Sequence, residues 1–224
     1  MTRTLVITGG HGVLGRAVVE AACADGLSVA VIDHATGPAL PAGALEVGGV
    51  DLTDAAAAEA AMGAVAERFG RIDALLNIAG GFVWQTADDP EPAWDRMFAL
   101  NVKTALNASR AAMPWLKRSD EGRIVNVGAN AALKSAAGMG AYAASKAGVH
   151  RLTESLAEEL KDTSVTVNAV LPSILDTPQN RADMPDADPS KWVRPADLAR
   201  VMLFLASPGS RAVTGALVPV TGRV

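Results

Sequence analysis

The chain has a single cysteine, Cys23, so no internal disulfide can form, which fits a reducing compartment. Cys23 falls in an alanine-rich helical stretch and reads as a small buried hydrophobe rather than a reactive thiol. Charge of one sign is also lacking: 20 basic side chains against 24 acidic ones leave a net charge of −4, with the two signs interspersed. No wide face gathers a polyanion, so nucleic acid is not an expected partner. No window approaches the roughly 20 apolar residues needed to cross a bilayer, and no charged segment leads into an apolar run at the N-terminus. The sequence therefore reads as a cytoplasmic protein with no membrane association. There is no internal repeat, no flexible linker and no ligand set that calls for a metal. The longest polar, proline-bearing stretch, Asp176 to Pro195, lies between apolar elements and reads as a loop, which makes residues 1–224 one expected domain.

Half of the residues are apolar, and they fall into short runs. Thr4 to Thr8, Ser28 to Ile32, Ala74 to Ala79, Arg123 to Val127, Val165 to Leu171 and Ala216 to Val220 are rich in Val, Ile and Leu without strict alternation, as strands covered on both faces are. A shorter strand is expected at Leu45 to Val47. Helices are expected at Gly12 to Asp25, Thr53 to Phe69, Ala93 to Arg118, Met139 to Lys161 and Pro195 to Leu205. Thr53 or Asp54 suits the start of the second, and Pro195 the first turn of the last. Pro114 should kink or shorten the third near its end. Strand alternating with helix implies a doubly wound parallel sheet in a three-layer α/β/α Rossmann-type domain, with ligands at the carboxyl ends of the strands.

Directly after the first run comes Thr8-Gly9-Gly10-His11-Gly12-Val13-Leu14-Gly15, a Gly-x-Gly-x-x-Gly turn opening a helix. Glycines permit close backbone approach, and free N–H groups at a helix start attract a pyrophosphate. Gly9, Gly10, Gly12, Val13, Leu14 and Gly15 are thus candidate nucleotide contacts; the plain alternative is a glycine turn that serves packing. Asp33 closes the second run, where a carboxylate can accept from ribose hydroxyls and repel a 2′-phosphate. It favours NAD(H), with NADP(H) still possible because His11 and Arg16 can partly offset the charge; the alternative is a solvated loop acid. Tyr142 and Lys146, four residues apart, share a helix face. A neighbouring cation should lower the tyrosine pKa toward working pH and fit the phenol for proton transfer. By itself the pair could equally be a surface accident.

The glycine turn, Asp51-Leu52, Asn77-Ile78-Ala79-Gly80, Asn101, Tyr142 with Lys146, and Pro172 followed by Thr177 resemble, in order and spacing, the classical short-chain dehydrogenases/reductases. The resemblance covers essentially the whole chain, to Thr214-Gly215 and the last run. It implies a nicotinamide oxidoreductase in which Asp51 and Leu52 flank the adenine, and Asn77, Ala79 and Gly80 shape the floor by the adenosine ribose. Lys146 would hold the nicotinamide ribose, Tyr142 would be the acid/base, Asn101 would place a proton-relay water, and Thr177, after Pro172, would meet the carboxamide. Asn77 and Asn101 as ordinary amides and Asp51 as a helix cap remain the plain alternatives.

Two positions depart from that pattern. Val13 stands where the family has its middle glycine, and Ala129 where it has the serine that polarises a ketone, leaving Asn130 or Ser135 to compensate. Both departures, with Gly80-Gly81, Leu175-Asp176-Thr177-Pro178 and Met184-Pro185-Asp186, are similar to dihydropteridine reductases, whereas Asn101 is more like the ketone reductases. The expected substrate is small and polar with a C=O or C=N bond, pteridine-like or a ketone or secondary alcohol; a catalytically weak nucleotide sensor or scaffold is the reading from another class. A homodimer or homotetramer is expected from the small apolar residues on several faces of the helices from Ala93 and Met139. A substrate lid is expected at about 175–192, with Arg181 or Trp192 reaching substrate.

Overall fold

A computed structural model describes residues 2–224. Seven parallel strands form one sheet in the order β3-β2-β1-β4-β5-β6-β7, where β1 is Thr4–Thr8, β2 Ser28–Ile32, β3 Leu45–Val47, β4 Ala74–Asn77, β5 Arg123–Val127, β6 Thr166–Pro172 and β7 Leu217–Val220. Helices α1 (Val13–Ala24), α2 (Ala55–Phe69), α3 (Trp94–Phe98), α4 (Thr104–Leu116), α5 (Gly140–Glu159), α6 (Pro178–Asp183) and α7 (Pro195–Leu205) supply the connections. The expected doubly wound sheet is the fold observed.

Strand pleating sorts the apolar runs onto two faces. On β1, Leu5 and Ile7 pack with Val18 and Val19 of α1 and Leu198 and Met202 of α7. Val6 points the other way, into the layer of Met62 and Val65 on α2, Ala108 and Ala112 on α4, and Leu156 on α5. Both faces are covered, so every residue of β1 is buried. Full burial of each Ile or Leu stabilises by about 1.5–3 kcal/mol. Strand order reverses between β1 and β4, which both pair with neighbours in register through Thr8 and Asn77. That reversal opens a crevice at the carboxyl edge of the sheet.

Several element ends shift by one or two residues from the sequence expectation, and three departures have a structural cause. β4 stops at Asn77 because the N–H groups of Ile78 and Ala79 both donate to Thr8 Oγ1 at 3.1 Å and leave the ladder. The expected helix Ala93 to Arg118 is divided into α3, a π turn over Ala99–Lys103, and α4, which ends at Leu116 with Pro114 in its last turn. The segment 175–192 is less separate from the core than its prolines and charges imply. Leu175 bridges Val193, Trp192 is buried, and α6 and a 3-10 turn at Pro189–Lys191 lie between these anchors. Asp54, the second of the two expected caps, accepts from Ala56 N–H at the start of α2.

Candidate active site

A cleft of about 500 Å³ lies over the carboxyl ends of β1, β2, β4 and β5. Gly9, Gly12, Val13, Leu14 and Gly15 form one wall, Asp33, Asp51 and Leu52 the far end, Ala79 and Gly80 the floor, and Leu175 and Thr177 the opposite rim. Gly9 takes a positive φ of 67° and lies so close to Ala79 that a Cβ would fall 2.8 Å from its nitrogen. Gly15 lets the start of α1 press onto the backbone of Gly9 and Gly10. Gly12 is the N-cap of α1 and gives no side-chain cap, so the first-turn N–H groups face the cleft without a competing protein oxygen. Asp33 is oriented by two backbone donors, His11 N–H at 3.0 Å and Ala35 N–H at 3.1 Å. Anion-attracting turn, carboxylate and crevice together fit a dinucleotide of the nicotinamide type.

Three expected contacts stand behind this wall instead. Gly10 is buried outside the cleft lining, packed so closely on β2 that a side chain there would strike Val31. Asn77 donates from Nδ2 to Asn126 Oδ1 at 2.8 Å and Ser109 Oγ at 3.1 Å, tying β4 to β5 and α4 beneath the floor. Pro172 is buried as the last residue of β6, five residues before Thr177 on the rim. Asp51 lines the cleft while Oδ1 accepts from Thr53 Oγ1 at 2.7 Å and Thr53 N–H at 2.8 Å; these bonds hold its carboxyl below the usual range. Thr177 caps α6 by accepting from Asn180 N–H at 3.1 Å.

Tyr142, the only tyrosine, and Lys146 lie one turn apart on α5. Lys146 Nζ donates to Val127 O at 2.7 Å and passes beneath Gly80, where an added Cβ would lie 3.5 Å from it. Burial pulls the Lys146 pKa down to about 8. The expected lowering of Tyr142 is not what the protein groups produce, since burial pushes its phenol up to about 12. Desolvation disfavours both charged forms, and it outweighs the cation one turn away. The Asn101 side chain is taken up by protein partners. Oδ1 accepts from Gly81 N–H at 3.0 Å, while Nδ2 donates to Gly81 O at 3.1 Å and Ser145 Oγ at 3.0 Å. The amide thus fixes the glycine pair to α5, inside a π turn of the kind often found at functional sites.

Phe82 was not a candidate from sequence, yet its ring meets that of Tyr142 edge-on, 4.9 Å between centroids at 86°. An aromatic directly after Gly80-Gly81 was the available signal. His150 was also missed. It is buried one turn beyond Lys146 and accepts at Nε2 from the N–H of Ala129 at 3.3 Å. Burial first, then Arg151 and Lys146, lowers the His150 pKa, which preserves that acceptor. Ser135 does not replace the missing hydroxyl at 129: its own is exposed and donates to Ala136 O at 3.3 Å. Arg181 is engaged by Asp176 at 2.6 and 2.9 Å, and Trp192 is buried away from the cleft lining. Among the described residues no group of metal-ligating side chains and no helix long and apolar enough to cross a membrane is present.

The family model for short chain dehydrogenase matches residues 3–188. Over 234 residues the chain is 31% identical to the 3-oxoacyl-[acyl-carrier-protein] reductase MabA of Mycobacterium bovis, covering 99% of this chain and 92% of that protein. It is 29% identical to a D-beta-hydroxybutyrate dehydrogenase of Rhizobium meliloti, covering 96% and 87%. A 3-ketoacyl-(acyl-carrier-protein) reductase of Brucella melitensis, solved in complex with NADH, superposes with a TM-score of 0.87 at 27% identity over 98% of this chain and 97% of the other.

Proposed function

Because this chain belongs to the short-chain dehydrogenases/reductases, and so is an NAD(P)-dependent oxidoreductase, we propose that it interconverts a ketone and its secondary alcohol, with Tyr142 as acid/base and NAD(H) preferred over NADP(H). The observation that carries this reading is the Lys146 ammonium under Gly80 at the cleft floor, with Tyr142 one turn away. The names of the two relatives, an oxoacyl reductase and a hydroxyacid dehydrogenase, favour the ketone and alcohol pair over a pteridine.

A bound nicotinamide supplies or accepts the hydride at the substrate carbon. The Tyr142 hydroxyl donates the proton to the oxygen that becomes the alcohol, and takes it back in the reverse direction. Lys146, held on Val127 O, keeps further N–H donors for the nicotinamide ribose and stabilises phenolate as the proton leaves. Asn101 fixes Gly81, and Gly81 presents Phe82 against the Tyr142 ring. Asp33 accepts from the adenosine ribose hydroxyls, the uncapped start of α1 receives the pyrophosphate, and Thr177 meets the carboxamide side. The part of 175–192 between the Leu175 and Val193 anchors closes over the cleft as a lid. Exposed Phe98 and Trp94 on α3 support a homodimer or homotetramer built on the α4 and α5 faces.

The deciding experiment follows oxidation of NADH and NADPH with ketones, diketones, aldehydes and quinonoid dihydropterin, and reduction of NAD with secondary alcohols. Turnover of a ketone and of its alcohol is expected. Turnover of the dihydropterin alone, or of none of them, would count against the proposal.

A further inference from the structure

His11 sits between two acids that are far apart in sequence. Its main-chain N–H donates to Asp33 Oδ2 at 3.0 Å, and its ring Nε2 lies 2.8 Å from Glu46 Oε1 on β3. The imidazole is 7% exposed, and Gly37 packs so tightly on it that any side chain there would collide with the ring. Gly37 N–H also donates to Glu46 Oε1, at 3.4 Å. The loop after Asp33 is thereby folded down over His11 and fastened to β3.

His11 Nδ1 is buried and has no hydrogen-bond partner, so the protein provides an acceptor for one ring N–H only, on Nε2 toward Glu46. The imidazole is thus turned away from the cleft, and Arg16 does not line the cleft either. The sequence expectation that His11 and Arg16 offset the charge of Asp33 finds no matching geometry. Instead a second carboxylate, Glu46, binds the residue that orients the first.

We propose that Glu46 is a second determinant of cofactor choice, a positioning residue that holds His11 out of the cleft and adds its negative charge to that of Asp33. The inference rests on the reading of Asp33 as the ribose ligand. A 2′-phosphate entering beside Asp33 meets that carboxylate with the Glu46 charge added across His11, whereas two ribose hydroxyls meet an acceptor already oriented by His11 N–H; of the basic side chains nearby, His34 lines the cleft and Arg16 does not. Both carboxylates bind the same residue, Asp33 at the His11 N–H and Glu46 at its ring, and screening at physiological salt acts over about 8 Å.

The test measures dissociation constants of NADH and NADPH by nucleotide fluorescence for the unmodified protein, Glu46→Gln, Glu46→Lys and Asp33→Asn. Glu46→Gln keeps an oxygen to accept from His11 and removes only the charge. It is expected to narrow the NADPH to NADH ratio by about fivefold, almost wholly through NADPH. Glu46→Lys, at a side chain one-third exposed, should narrow it by about tenfold or more. A ratio unchanged in both Glu46 variants while Asp33→Asn narrows it would overturn the role of Glu46 and leave Asp33 intact. A ratio that Asp33→Asn does not move would overturn the reading of Asp33, and the inference with it.

Discussion

Lys146 is tethered to Val127: its ammonium, carried on α5, donates to the last carbonyl of β5 over 2.7 Å, with the whole side chain buried. The bond carries a charge from helix to sheet edge and sets it beneath Gly80 at the cleft floor, where burial pulls its pKa down to about 8.

Tyr142→Phe is expected to lower turnover by at least about a hundredfold with NADH binding unchanged, because the phenolic proton matters in the transition state and little to bound nucleotide. Lys146→Ala should weaken both turnover and NADH binding. Steady-state rates and fluorescence titration separate the two; a Tyr142→Phe enzyme as fast as its parent would remove the acid/base assignment.

The same burial makes Lys146 costly to the fold. Its folded pKa of about 8 lies below that of an unfolded lysine. Its contribution is therefore most favourable above the unfolded value and is lost as pH falls through that value toward the folded one. At pH 7 the whole penalty applies, on the order of 3 kcal/mol, while a substitution that leaves the Val127 carbonyl unpaired gives back about 1 kcal/mol of it. Lys146→Met should therefore be more stable than the parent at pH 7 by about 1–2 kcal/mol in urea denaturation, with the gain shrinking toward pH 10. A less stable Met variant would mean the ammonium is not buried at net cost.

With a single tyrosine, phenolate absorbance reports Tyr142 alone. Burial, which pushes its pKa up to about 12, predicts little ionisation at pH 10 while the fold persists by circular dichroism. Saturating NAD, which brings a positive nicotinamide, should move the onset to lower pH. Half-ionisation near pH 10 in the folded protein would contradict the desolvated environment.

Ala129 is buried, with its N–H held by His150, and its methyl offers no hydrogen bond. Ala129→Ser is expected to raise kcat/KM for a ketone by about tenfold, the order of one added charge-assisted hydrogen bond in the transition state. For a quinonoid pterin the change should be small. Equal, negligible effects on both would show that carbonyl polarisation comes from another group.

The sequence by itself determined the sheet, its layers and the whereabouts of the cleft, because strands covered on two faces must be apolar throughout and β-α alternation admits few topologies. β1, β2, β3, β5 and α7 begin and end where their apolar runs do. Tertiary structure decided the rest. The division into α3, π turn and α4 carries no compositional mark, since one inserted residue in the helical ladder changes no propensity. Gly10 and Asn77 have the spacing of cofactor contacts, but the packing of Val31 and the amide of Asn126 draw them to the other side of the wall. The cation beside Tyr142 was legible and the direction of its pKa was not, because desolvation depends on everything that surrounds the phenol rather than on the helix that carries it. His11 and Glu46, 35 residues apart, meet only because β3 pairs with β2 in parallel and sets a carboxylate against the glycine turn.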